Sequence, residues 1–498
     1  MIAFVFTAFL CVGYALLRLV WQERLMAACG GLILGTALWA WTLFAMLLFG
    51  IAAPFTAAGI AFASLGAALI VASGFRKRFE AAELLVPLLS WLVALALFHL
   101  PVVATTSGDA GYMIMMGVDT CRFDTIPADI RRTLMYGYPP LIPMLQATAC
   151  KFTSANQLVN FIPLFAIAQL LFLIALLQRI GYALIAAVLG CLIIFSSTSA
   201  MIHVVYFNHH LLLGFMILMF AVITQDRKPD QDKASVLALL ILLFGIDIGR
   251  AEAALVSLIL LVVLIRHDNF SVRERLTLAL GNAVAVTLYL GFVASMEVDT
   301  SIRLIILNRF SIAVLIAITW AYAGYVALTH YSAQIARLDR STLAITLGLS
   351  VVAMGLAVLV APIRLTQSLA AIFTNTFLLV GFWGFTWWIL VGALVIAWRL
   401  ARARSRPLLS SDPRFVLIVS MLALMMLLAV GRDPYRLGFG DTFNRFLAHL
   451  APVWLWLVAD LWRRIDLDRP VSWLLSKPAG QIEHGTPSHA KPPASESV

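Results

Sequence analysis

Of the chain's 498 residues 62% are hydrophobic and only 12% charged, about half the charge of a soluble domain, so polar groups cannot cover a water-facing surface. A soluble enzyme, a nucleic-acid-binding factor and a disulfide-rich secreted scaffold are excluded, and a polytopic membrane protein remains. The net charge of +10 fits the same reading, because Lys and Arg gather in the cytoplasmic loops that orient membrane helices; no nucleic acid is needed to explain it.

From the N-terminus, apolar stretches near the length that crosses a bilayer recur near 2–20, 27–49, 52–74, 83–103, 156–177, 181–200 and 210–224. They continue near 235–247, 251–265, 277–296, 311–328, 342–361, 377–398, 415–430 and 447–462. The predicted fold class is all-α: a polytopic integral membrane helix bundle of about 15 apolar segments with an amphipathic outer loop region. Segments 235–247 and 251–265 are short, and two spans or one broken helix both fit. The first segment lacks a basic stretch before it and a small-residue cleavage site after it, so it reads as a retained helix.

The basic clusters set the orientation. Arg76-Lys77-Arg78, Arg227-Lys228, Arg273 with Arg275, the Arg399, Arg402, Arg404, Arg406 run and Arg463-Arg464 all fall on one side of this count, the cytoplasmic side. Residues 1–80 are then N-terminal helices starting from outside, and 81–464 a helical core with an outer loop at 104–153. The tail 465–498, rich in Pro and Ser, is expected inside and disordered. No glycine-rich nucleotide pattern occurs on the cytoplasmic side, and no Cys/His spacing suggests zinc, so neither cofactor nor metal is expected.

The opposite face gathers the polar residues. In the 104–153 loop, Asp109 follows Ser107-Gly108 shortly after a segment leaves the membrane. A half-desolvated carboxylate there can take a proton from a hydroxyl, and Ser-Gly-Asp equally suits a helix cap. The same loop holds Tyr138-Pro139-Pro140-Leu141-Ile142-Pro143, an apolar stretch suited to the membrane surface, and Cys121 and Cys150, for which an oxidising compartment permits a disulfide. Next comes Asp247-Ile248-Gly249-Arg250-Ala251-Glu252, three ionisable residues between apolar flanks. Such groups are costly in lipid, so they form an internal pair such as Asp247–Arg250, or hold an anionic phosphate beside a carboxylate that orients a hydroxyl. His209 and His210 open an apolar segment, as interfacial residues or as a phosphate donor. Late in the chain Arg445 and His449 stand at i and i+4 on one helix face. Trp383, Trp387, Trp388, Trp454 and Trp456 read as belt or core residues.

At these residues the chain resembles the bacterial membrane glycosyltransferases of the GT-C superfamily. The resemblance rests on Asp109-Ala110, on Tyr138-Pro139-Pro140-Leu141-Ile142-Pro143, on Arg250-Ala251-Glu252 and on Asn444-Arg445-Phe446-Leu447-Ala448-His449-Leu450-Ala451-Pro452. It spans roughly 83–462 in order and spacing. Two positions depart from the pattern: Met113–Met116 replace the aromatic and Lys residues often found after the Asp, and Asn444 stands where Asp is common. The resemblance implies a transferase that takes a sugar from a polyprenyl-phosphate carrier to a glycan or glycolipid acceptor hydroxyl, on the outer side of a bacterial inner membrane. Asp109 is the implied general base, and Arg250, Arg445 and His449 hold the lipid phosphate. Glu252 orients sugar or acceptor, and Asp247, Tyr138 and His209 complete the binding set. Convergence of Asp109, Arg250, Glu252 and Arg445 on one outward cavity is the expected geometry. A polysaccharide polymerase or O-antigen ligase, and a lipid or solute transporter, are the rival readings; against the last, no internal repeat links the two halves.

Overall fold

Lipid offers no hydrogen bonds to the main chain, so a chain this apolar must satisfy its backbone internally, which helices do. The computed structural model describes residues 2–75, 85, 108–126, 139–152, 162–205, 210–227, 232–250, 252–295, 309–378, 380–403, 412–431, 435, 437–438 and 442–465, and among them every regular element is a helix. First come α1 (Ile2–Arg18), α2 (Arg24–Leu48), α3 (Pro54–Phe75), α4 (Gly108–Phe123), α5 (Leu141–Phe152) and α6 (Ile162–Arg179). The middle of the chain holds α7 (Leu184–Phe195), α8 (Thr198–Val205), α9 (His210–Asp226), α10 (Asp232–Asp247), α11 (Ala253–Leu264), α12 (Val272–Ser295) and α13 (Arg309–Tyr331). Last are α14 (Ala333–Arg340), α15 (Thr342–Val360), α16 (Pro362–Phe377), α17 (Thr386–Ala403), α18 (Pro413–Gly431) and α19 (Thr442–Ile465).

Four of these, α2, α12, α13 and α15, are long and apolar enough to cross a membrane, and eight other apolar helices are shorter. Several expected segments divide. The pair 235–247 and 251–265 is two helices, α10 and α11, parted at the Asp247–Glu252 polar island. Segment 181–200 breaks at Ser197, whose Oγ donates to the Ile194 carbonyl (2.8 Å) and accepts from the Ala200 amide (3.1 Å), closing α7 and opening α8. Segment 377–398 becomes helical only from Thr386, after a turn with Phe382 at φ 61° and Gly384 at φ 56°. Segment 83–103, apart from residue 85, and the tail beyond 465 lie outside the described residues.

Burial separates the helices by role. The apolar span of α2 is 72% buried, so α2 is a core helix; that of α15 is 17% buried, and Val351, Val352, Leu356, Leu359 and Val360 are exposed, as on a lipid-facing surface. Helix α1 packs on α2 through glycines: a Cβ on Gly35 would lie 1.9 Å from the Phe9 carbonyl oxygen, so the backbones touch where a side chain cannot fit.

Among the described residues, contacts link the basic clusters around Arg227, Arg275, Arg402 and Arg464 at one end of the bundle, and Arg76-Lys77-Arg78 lies outside the described residues. Asp226 accepts from Trp21 Nε1 (3.2 Å) and pairs with Arg179. Arg227 pairs with Glu274 (2.6 Å), and Arg275 grips Asp339 with two bonds of 2.6 Å. Tyr182 donates to the Ala459 carbonyl (2.8 Å), and Arg414 bridges Asp412 (2.7 Å) and Asp460 (2.5 Å). Trp462 donates to the Ala393 carbonyl of α17 (3.1 Å), whose last turns carry Arg399 and Arg402.

Candidate functional site

The site grows from the break between α10 and α11. Gly249 donates to the Ile246 carbonyl (2.8 Å), which tightens and ends α10; a Cβ there would lie 3.0 Å from that same oxygen. A helix end leaves carbonyls without partners. Here the Ile248 carbonyl accepts from the Leu141 amide (3.0 Å), an amide at the start of α5 that lacks a helical acceptor of its own. One bond thus docks the Pro139-Pro140-Leu141 turn on the Asp247–Glu252 island, 107 residues later (248 − 141).

Helix α4 is brought to the same place. Gly117 presses on α5 so closely that a Cβ would stand 2.5 Å from Gln146 Cβ, and Cys121 is joined to Cys150 by a disulfide with Cα atoms 6.0 Å apart. Both contacts have a register of 29 residues (146 − 117 and 150 − 121), so α4 and α5 lie parallel. Run backwards, that register sets residues 110–112 of α4 level with residues 139–141, so the first turn of α4, which carries Asp109, lies at the approach to α5. Trp39 of α2 donates to Thr148 (2.8 Å), and the Lys151 ammonium sits 5.3 Å from the Phe55 ring centre. The pair therefore runs from the Arg250 turn towards the α2–α3 connection.

At the centre, Arg250 donates to Glu252 (Nη2–Oε1 2.5 Å), with the two side chains only 8% and 3% exposed. Its other terminal nitrogen lies 3.4 Å from His210 Nδ1, which lies 3.1 Å from His449 Nε2. The chemistry of the donors assigns the tautomers. A guanidinium has only protons to give, so His210 Nδ1 must accept; His210 is then neutral, with its proton on Nε2, and His449 Nε2–H is the donor in the pair. The contact needs α9 and α19 to cross closely. Gly214, one turn after His210, permits this: a Cβ there would be 3.0 Å from His449 Cα. Pro452 helps, since it has no N–H to bond the Ala448 carbonyl, and that oxygen faces Gly214. The Phe446 ring stands edge-on to His449 at 5.2 Å and fixes its plane. Arg445 lies one turn earlier on α19, half-buried.

Of the expected site residues, the structure gathers Arg250, Glu252 and His449 and sets Arg445 on the same helix. Asp247 adjoins them in sequence but stands apart chemically. It is 1% exposed, and among the described residues neither carboxylate oxygen has a hydrogen-bond partner. The nearby Ser257 hydroxyl donates instead to the Ala254 carbonyl (3.3 Å). The expected Asp247–Arg250 alternative is corrected: the partner of Arg250 is Glu252. The Asp109 side chain, Tyr138 and His209 lie outside the described residues. His210 is the residue sequence reasoning passed over in favour of its neighbour; a glycine one turn further along the same face was its signal.

The Arg250 guanidinium and the two imidazoles form one buried cluster, with Arg445 one turn before His449 on α19, and cationic donors of this kind suit an anion with several oxygens. Among the described residues no three His, Cys, Asp or Glu side chains gather at metal-ligating distance. No family model matches the chain, and no curated protein or solved structure is significantly similar to it.

Proposed function

We propose that the chain is a membrane glycosyltransferase of the GT-C kind, moving a sugar from a polyprenyl-phosphate carrier to the hydroxyl of a glycan or glycolipid. One observation carries the reading: segments near 140, 210 and 449, far apart in the chain, meet around the buried Arg250–Glu252 pair, and α4, which carries Asp109, is packed and disulfide-bonded to α5 beside them. In this reading Asp109 takes the acceptor proton as the hydroxyl attacks the anomeric carbon. The carbon–oxygen bond to phosphate breaks, and Arg250 and Arg445 stabilise the charge left on the lipid phosphate. Glu252 holds Arg250 in place. The protein spans a bacterial inner membrane about fifteen times, with the basic end in the cytoplasm and the Arg250 site on the other side.

One observation favours a transporter instead. Asp247, a buried carboxyl with no hydrogen-bond partner among the described residues, is the kind of group that carries protons or cations through membranes. Surface glycans and glycolipids of cells carrying the wild-type chain, a deletion or Asp109→Asn separate the two. Loss of one sugar in both mutants, with the Asp109→Asn protein still in the membrane, supports the transferase. Loss in the deletion alone removes Asp109 as base, and unchanged glycans in both overturn the reading in favour of transport.

A further inference from the structure

The two imidazoles have no part in the reaction proposed above, yet they are among the most enclosed polar groups in the protein. His210 is 2% exposed and His449 0%. They touch each other and Arg250 across three separate stretches of chain. A buried imidazole that only filled space would do so at less cost as an apolar residue. We propose that the His210–His449 pair is a proton store for the Arg250 site: it is neutral beside Arg250 and takes up a proton when a phosphate monoester docks against Arg250 and Arg445. The inference rests on the reading of this site as one for a lipid phosphate.

The geometry says where the proton goes. The single lone pair of His210 Nδ1 is shared between His449 Nε2–H (3.1 Å) and the longer Arg250 contact (3.4 Å), so a proton there would break both. A proton on His449 Nδ1 breaks neither; it makes the His449 Nε2–H bond to His210 a charge-assisted one and strengthens it. With Arg250 beside the pair, like charge opposes this second cation. An incoming phosphate reverses the balance, because its charge exceeds what the Arg250–Glu252 pair, already neutral in sum, can match.

The surrounding groups leave the pair as the responsive element. Arg250 touches it and is itself paired with Glu252; Asp247 precedes them at the α10–α11 break, and Arg445 lies one turn before His449 on α19. Arg364 on α16 is exposed. The other helices packed on α9 and α19 carry their described charges at the far end: Arg24 on α2, Arg179 on α6, Asp232 and Lys233 at the start of α10, Arg399 and Arg402 on α17, and Arg414 on α18. In the transferase cycle the store has a use. Cleavage turns a phosphodiester monoanion into a monoester that gains a second negative charge. As the carbon–oxygen electron pair arrives on the phosphate, the His210–His449 pair takes up a proton to match the new charge, while the acceptor's proton goes to Asp109.

The test is calorimetry of the purified full-length protein binding farnesyl phosphate, in two buffers of different ionisation enthalpy near about pH 7.5, above the ordinary imidazole range. Inorganic phosphate is the comparison ligand. The wild type is expected to take up close to one proton per farnesyl phosphate bound. His449→Gln, whose amide keeps the donor to His210 but cannot hold the extra proton, is expected to bind with a clearly smaller uptake and a flatter pH dependence. Equal uptake in the two proteins overturns the inference, as does no uptake by the wild type. The wild-type result stands even if His449→Gln fails to fold, and His210→Asn provides a second variant. Absence of farnesyl phosphate binding by the wild type overturns the lipid-phosphate reading itself; binding without uptake overturns the proton store alone. Equal proton uptake with inorganic phosphate assigns the effect to the phosphate group, and uptake with farnesyl phosphate only ties it to the lipid.

Discussion

The Arg250–Glu252 pair yields the sharpest prediction, because both partners are almost wholly enclosed. With charge centres about 4 Å apart and an effective dielectric near 20, their attraction is about 4 kcal/mol. Desolvation offsets much of that, so the pair as a whole adds little to stability. Removing one partner is different, since it strands a buried charge at a cost of about 3–5 kcal/mol. Arg250→Met and Glu252→Leu are therefore each expected to lower stability by about that much, and the double variant to return to within about 1–2 kcal/mol of wild type. Denaturant or thermal unfolding of the three purified proteins measures the cycle. Function separates from stability: the double variant regains its fold but not farnesyl phosphate binding, since Arg250 is gone. Additive single costs, or costs below about 1 kcal/mol each, refute the claim that the pair is buried and coupled.

Asp247→Leu is expected to stabilise the protein by about 1–3 kcal/mol, since it removes a buried carboxyl that has no partner among the described residues; destabilisation on melting would mean the carboxyl has a partner. The Cys121–Cys150 bridge closes a loop of 29 residues, worth about 3–4 kcal/mol of chain entropy. Cys121→Ser should lower the unfolding midpoint and, by loosening the first turn of α4, sugar transfer as well; an unchanged midpoint counts against the bridge. At the other end of the bundle, burial pushes the Asp412 carboxyl up, and the hydrogen bonds and charge of Arg414 outweigh it, so that it ends below its ordinary 3.8. Such a group contributes stability above pH 3.8 and loses it as pH falls through its lower folded value. Asp412→Asn should therefore cost stability at neutral pH and progressively less in acid, as melts of the two proteins across pH will show.

What the sequence made legible was composition and period, and what it hid was where helices stop. Apolar length alone announced the helices, and the island at 247–252 stood out because three ionisable residues cannot sit in lipid without cause. Its pairing was misread for a definite reason. In one continuous helix Asp247 and Arg250, three apart, share a face, but the helix ends at Ile248–Gly249 and the spacing rule ends with it. In the irregular turn that follows, two residues of separation suffice for Arg250 to reach Glu252. The break at Ser197 was hidden similarly, inside a run whose hydropathy never falls. The Trp residues divide as neither expectation alone required: Trp383, Trp387 and Trp456 are core, and Trp388 is half exposed. Convergence of residues near 140, 210, 250 and 449 was legible only as shared sidedness, because close approach at Gly214 and Gly117 depends on which helices meet.

The ion pairs at the two ends of the molecule differ in what they join. Arg179–Asp226 ties α6 to α9, Arg275–Asp339 ties α12 to α14, and Arg414–Asp460 ties α18 to α19. Each holds together helices that the chain alone does not, which is reason enough for it to exist. Arg250–Glu252 links residues two apart and cross-links no helices, so assembly does not explain a charge buried this deeply. Fixing the direction of one guanidinium does explain it, since Arg250 then meets His210 on α9 and, through it, His449 on α19. Exchanging the partners tells the two roles apart. Arg275→Asp with Asp339→Arg is expected to recover most of the stability lost in either single variant, with glycan transfer intact. Arg250→Glu with Glu252→Arg is also expected to recover stability but not transfer, because the cation now points from the wrong residue. Full transfer in that swap would show that Arg250 serves the fold alone.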